Sequence, residues 1–209
     1  DQTITDEKGQ QKKNEDYPES ANNSSKTGLT WNKYTYPANQ YADMWSTNAC
    51  PIVFRYAEVL LTYAEAENEL HGPSADVYAK INLVRQRAGM PKVDEAKYAT
   101  KDKLRELIHR ERAVEFAGEG LRRADILRWK GADGKILAET VLNGPLERMV
   151  GTVNAQGTNP QTRATIDPSA SPQAKLVENR TFRPHFRYLP IPQSVIDRNP
   201  NFGKNNPGY

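Results

Sequence analysis

Glu111-Arg112-Ala113-Val114-Glu115-Phe116-Ala117-Gly118-Glu119-Gly120-Leu121-Arg122-Arg123-Ala124-Asp125-Ile126-Leu127-Arg128-Trp129 sets acids and arginines three and four residues apart. On a helix, residues at those spacings lie one above another on a single face. A solvated charge face would run beside an apolar face of its own. Here the charges continue the apolar stripe: Leu104, Ile108, Glu111 and Glu115 share it, and Glu119 and Arg122 follow at the same spacing. The pattern predicts a helix whose core side turns into an ion-pair network of Glu111, Arg112, Glu115, Glu119, Arg122, Asp125 and Arg128. The guanidinium fork suits such framework pairs, since it meets a carboxylate through two parallel hydrogen bonds.

Paired carboxylates also invite a catalytic reading, one acting as acid and one as base. The spacing argues against it. Glu111, Glu115 and Glu119 follow one helix in line, with Arg112, Arg122 and Arg128 nearby to neutralise them, and an adjacent arginine favours the ionised form that a general acid must avoid. There is no nucleophile elbow, glycine-rich phosphate loop or metal motif. His71, His109 and His185 share no ligand spacing and read as surface or helix-end residues. Cys50 is the single cysteine, so it closes no internal disulfide, and it reads as a small apolar residue ahead of a helix. No cofactor is expected. Calcium binding through acidic and carbonyl ligands stays open, without an acidic loop of the EF-hand kind to carry it.

At 209 residues the chain is long enough to bury a core as one domain or as a large piece of a bigger one. Its mean hydropathy is −0.81, and no run approaches the roughly 20 apolar residues that span a bilayer. The net charge of +3 is small, and lysines and arginines are interspersed with acids, which argues against a nucleic-acid partner.

Residues 1–27 lack an apolar period and read as a flexible arm or loop, ahead of a domain over 28–209. A first helix is predicted over about 52–70, behind Pro51, with Val53, Ala57, Leu60, Leu61 and Ala64 as its stripe. Gly72-Pro73 stops it. Ser74 caps a second helix running to about Ala88, with Val77, Ile81 and Val84 facing in and Gly89 ending it. The short link makes the two an antiparallel hairpin of the tetratricopeptide kind. Thr100 caps a third helix to about Ala117, Gly118 and Gly120 interrupt it, and a shorter helix carries Asp125 to Trp129. A further helix is expected over about 135–143. Residues 151–180, rich in Asn, Gln, Thr, Pro and Ser, read as a long surface loop. Pro190 and Pro192 hold an extended segment ahead of one helical turn at about 193–197.

One segment has the composition of a ligand platform. Trp31, Tyr34, Tyr36, Tyr41 and Trp45 are interleaved with Asn32, Asn39, Gln40, Asp43 and Asn48. Sugar rings expose C–H faces that stack on flat aromatic rings, and their hydroxyls need amide or carboxylate partners. Trp45 is the first ligand-binding candidate, with Trp31 and Tyr41 next; packing of these rings on the helices is the competing reading. Trp129 is assigned to the core.

Four ordered blocks resemble the SusD/RagB family of Bacteroidetes surface lipoproteins. Residues 111–129 match every fixed place of its E-R-x-x-E-(L/F)-x-x-E-G-x-R-x-x-D-(I/L)-x-R-W signature. Arg55-Tyr56-Ala57-Glu58-Val59-Leu60-Leu61-Thr62-Tyr63-Ala64-Glu65-Ala66 is similar to its R-x-A-E-V-x-L-x-x-A-E-A helix, and Asn82-Leu83-Val84-Arg85-Gln86-Arg87-Ala88-Gly89 to the block that follows. The end, from Tyr188-Leu189-Pro190-Ile191-Pro192 to Asn206-Pro207-Gly208-Tyr209, resembles the family's terminus, except that Asn205 stands where Gln is usual and Gly203-Lys204 lengthens the approach by a residue. The resemblance covers about residues 28–209.

It implies a mainly α fold: a tetratricopeptide-like helical base, a SusD-like α-α superhelix, with long surface loops. It implies non-catalytic glycan binding at the extracellular face of the outer membrane, for uptake through a SusC-like TonB-dependent transporter. The alternatives are peptide capture, or a helical scaffold or lid of the transporter with no small ligand of its own. The chain is then expected to be the C-terminal portion of a longer lipoprotein, touching the membrane only through a lipid anchor outside it.

Overall fold

The computed structural model describes residues 3–5, 8–13, 25–27, 33–34, 50, 52–153 and 164–209. They divide into two units, residues 33–125 and residues 1–32 with 126–209.

The unit over 33–125 is helical. Helix α1 (Tyr56–His71) and helix α2 (Ala75–Arg87) form the expected hairpin, and helix α3 (Lys101–Glu115) packs against α1. The local signals act as read. The Ser74 hydroxyl accepts from the Val77 N–H at 3.3 Å, and the Thr100 hydroxyl from the Lys103 N–H at 3.4 Å, so each satisfies an N–H that the first turn leaves unbonded. Ala57, Leu60, Leu61 and Ala64 of α1, Val77, Tyr78, Ile81 and Val84 of α2, and Leu104, Leu107 and Ile108 of α3 form one buried cluster with Val93 and Phe116. The small Ala64, fully buried, lets neighbouring backbone approach closely.

Val53 does not belong to the stripe. The helix begins only at Tyr56, behind an extended Arg55, so Val53 precedes the helical period and is 92% exposed. Conversely, Asn68 occupies an apolar position of α1 and is fully buried; its amide donates to the Lys101 carbonyl at 3.0 Å and pins α1 to the start of α3.

Helix α3 ends at Glu115. Gly118 and Gly120 follow with φ of 79° and 82°, a left-handed conformation that glycine adopts without a Cβ clash. Helix α4 (Arg122–Arg128) then follows as a separate helix.

In the other unit, Ile126, Ile136, Ala138 and Phe182 form a second buried cluster with Leu127, Leu137, Leu142 and Phe186 against it. Trp129 is buried, and its carbonyl accepts from the Leu137 N–H at 2.8 Å, at the start of helix α5 (Leu137–Val141).

The loops are more regular here than their composition suggests. In the expected flexible arm, β1 (Thr3–Thr5) pairs antiparallel with β2 (Gln11–Lys13). In the expected loop over 151–180, β4 (Gly151–Val153) pairs with β5 (Ala164–Ile166), and β3 (Gly144–Glu147) pairs with β6 (Leu176–Arg180) around a short helix α6 (Pro172–Lys175). Short β-branched runs such as Thr3-Ile4-Thr5 and Thr165-Ile166 decide this locally, against a polar background. Gly151 is required: a Cβ there would lie 2.2 Å from the Thr165 carbonyl oxygen.

The last segment folds as Pro184–Arg187, a 3-10 turn, then helix α7 (Gln193–Arg198) and a second 3-10 turn, Pro200–Phe202. The Asn205 side chain accepts from the Ile191 N–H and donates to the Ile191 carbonyl, so the residue standing where Gln is usual closes the extended Pro190–Pro192 stretch.

Candidate functional site

Phe116, at the end of α3, is buried, with the Arg55 and Arg112 guanidinium groups 5.0 and 5.4 Å from its ring centroid. The charged groups of the signature segment divide around it.

Arg112 and Asp125 are both buried. The Nε and Nη2 atoms of Arg112 donate to the two Asp125 oxygens, each at 3.0 Å, and its Nη1 donates to the Thr62 hydroxyl at 3.0 Å. Glu65 lies 3.6 Å away on α1. The pair fastens α4 to α3 and α1.

Arg55 carries the second group. Its Nε and Nη2 donate to Glu119 at 2.8 Å each, its Nη1 to Glu115, and its Nη2 also to the Glu115 carbonyl at 2.7 Å. Lys33 donates to Glu119 as well and to the Glu115 carbonyl at 2.7 Å. Burial works to raise the Glu119 carboxyl, but Arg55 and Lys33 hold it down at about 2, and hydrogen bonds to Glu119 and Glu115 raise Arg55 above its ordinary value. Glu115 also accepts from Arg87 at 2.5 Å, and Glu111 pairs with Arg85, whose Nε caps the Pro91 carbonyl at 2.8 Å.

Of the predicted network, Glu111, Arg112, Glu115, Glu119 and Asp125 are thus ion-paired, though mostly to cations outside the segment. Arg122 is half-buried and makes no ion pair among the described residues. Arg128 is exposed, with its guanidinium 5.0 Å over the Trp129 ring. The sequence reading missed Lys33, Arg55, Arg85 and Arg87 as members. Three of them stand at fixed places in the two other blocks, which was the available signal; Lys33 had none.

Beside the network lies a recess of about 370 Å³, lined by Lys33, Tyr34, Ile52, Arg55, Arg87, Val114 and Glu115. Tyr34 holds φ at +60°, uncommon for an aromatic residue, and the residue is 46% exposed. It is the one member of the aromatic segment whose position is described; Trp31, Tyr41 and Trp45 lie outside the described residues. Among the described residues no cluster of three His, Cys, Asp or Glu side chains assembles that could hold a metal. No helix among them is long and apolar enough to cross a membrane.

The SusD-like protein P2 of Formosa agariphila is 32% identical over 169 residues, which are 78% of this chain and 26% of that protein. The SusD-like protein P25 of the same organism is 48% identical over 79 residues, 37% of this chain and 15% of that protein. Among solved structures, a SusD-like protein of Bacteroides fragilis matches with a TM-score of 0.54 at 29% identity, over 76% of this chain and 26% of that one. A SusD homolog of Bacteroides thetaiotaomicron matches with a TM-score of 0.50 at 29% identity, over 82% of this chain and 30% of that one. The chain therefore spans less than a third of the length of each of these relatives, and its mainly α, tetratricopeptide-like fold is theirs. The SusD family model matches residues 2–209, and with the blocks at 55–66, 82–89 and 111–129 now seen to build one ion-paired framework, the chain belongs to the SusD family.

Proposed function

We propose that this chain is part of a non-catalytic glycan-capturing protein, held at the extracellular face of the outer membrane by a lipid anchor outside the chain and passing its ligand to a SusC-like TonB-dependent transporter. Family membership across residues 2–209 carries the proposal. The described site is consistent with binding without covalent chemistry. Glu119 is held ionised by Arg55 and Lys33, whereas a general acid needs a carboxyl raised toward neutral pH. Glu111, Glu115 and Asp125 are likewise committed to arginines.

In this reading the helical framework is a base, and the aromatic segment supplies the platform, with Trp45, Trp31 and Tyr41 as ligand contacts; Tyr34 lines the recess beside the ion-paired network. A glycan array with this chain and with the intact lipoprotein tests it. Glycan binding by both, lost in Trp45→Ala without a change in melting temperature, is the expected result. Binding by the intact protein alone would move the site elsewhere in that protein, and binding by neither would overturn glycan capture.

One observation favours a second reading, a protein-interaction scaffold. Helix α1 has a second apolar face, where Tyr56, Val59, Tyr63 and Leu70 recur at helical spacing and are 42–73% exposed. Retained transporter binding with no glycan binding would support it.

A further inference from the structure

The loop ahead of α3 and the outer face of that helix enclose another recess, of about 330 Å³, lined by Lys97, Tyr98, Lys103, Glu106, Leu107 and Arg110. Four of these stand at i, i+3, i+4 and i+7 on α3 and so share one face. Leu107 is buried and anchors that face to the core. Lys103 and Arg110 are therefore two turns apart, about 10 Å along the helix axis. The opposite wall is held too. The Asp94 carboxylate accepts from the Lys97 N–H at 3.1 Å, and the Tyr78 hydroxyl donates to the Tyr98 carbonyl at 2.9 Å.

This recess carries an excess of positive charge. Arg55, Arg85, Arg105 and Arg112 of the same unit each meet a carboxylate. Arg110 instead donates to the Tyr98 hydroxyl at 2.9 Å, and Lys97 lies 5.4 Å over the Tyr98 ring. Lys97, Lys103 and Arg110 make no ion pair among the described residues, and Glu106 is the one acid among the residues that line the recess. The hydrogen bond from Arg110 holds the Tyr98 phenol below its ordinary value, as a positive local potential would.

We infer that this recess binds an anionic group on a saccharide, a carboxylate or a sulfate ester, an assignment that rests on the glycan-capture reading above and narrows it to acidic glycans. The Arg110 fork matches two oxygens of such a group. Lys97 and Lys103 add point charges, while the Tyr98 ring offers apolar surface to the sugar's C–H face.

The test is calorimetric titration of the full chain with tetragalacturonate, a sulfated galactotetraose and neutral galactotetraose. At least one anionic tetrasaccharide is expected to bind about tenfold tighter than the neutral one, the scale of one charge-assisted hydrogen bond. The two anionic arms tell carboxylate from sulfate. The preference should shrink with salt and disappear in K103Q/R110Q, but persist in K80Q, a surface lysine paired to Asp76. Both altered positions of the double variant are exposed, so its melting temperature should match the parent's. Equal binding of anionic and neutral ligands, or a preference that survives K103Q/R110Q, would overturn the acidic site and leave glycan capture standing. Binding of none of the three would also overturn the acidic site, while the glycan array above decides glycan capture itself.

Discussion

Arg112 and Asp125 illustrate how an interior charge is tolerated. Both guanidinium-to-carboxylate bonds are 3.0 Å long, and Thr62 takes up a further donor, so little of either group is left unsatisfied. Removing one partner strands the other. Asp125→Ala is expected to destabilise by about 3–5 kcal/mol, read as a drop in the urea midpoint. Replacing both, as Arg112→Met with Asp125→Leu, should cost less than Asp125→Ala alone, because both charges of the hydrogen-bonded pair leave together. A double variant as unstable as the single one would show that the pair contributes attraction beyond its desolvation. Arg122→Ala, at a half-buried position without an ion pair, is expected to stay within about 0.5 kcal/mol of the parent.

At the scale of elements, the turn between α3 and α4 decides where the acids point. A continuous helix through Gly118 and Gly120 would carry Glu119 onward along the α3 face. The break lets the Glu119 N–H bond the Phe116 carbonyl at 3.0 Å and turns its carboxylate to Arg55 and Lys33. Gly120 has open space where a Cβ would stand, so Gly120→Ala meets no neighbour and its cost is that of the backbone alone. It is expected to destabilise by about 1–2 kcal/mol, since φ is +82° there. A neutral result in thermal melts would mean that the turn relaxes without strain.

For the molecule as a whole, the ion-paired framework predicts acid sensitivity. Glu119 titrates at about 2 in the fold against an ordinary 4.5, so the unfolded chain binds the proton first as pH falls. Its contribution is fully present above 4.5 and is lost between there and about 2. Glu69, held low by its hydrogen bond from Arg105, adds in the same direction. The denaturation midpoint should therefore be level from neutral pH to about 5, then fall steeply, and Glu119→Gln should flatten part of that fall. An unchanged slope in the variant would contradict the assignment of Glu119 as an acid-sensitive member of the framework.

The helices and the family were legible in the residues because their signals are local. Ser74 and Thr100 cap from within one turn, the apolar period names the buried face, and the signature blocks are contiguous runs. A period tells which face turns inward, but not which groups meet it there. Arg55 and Glu119 are 64 positions apart, and only tertiary packing brings them together. For the same reason the exposure of Val53, the separation of Arg122 from the network and the strands within 151–180 escaped the sequence. The recess at Lys97, Lys103 and Arg110 also belongs to the tertiary structure, since a helix face and a preceding loop must close on each other before three ordinary surface cations become one site of excess positive charge.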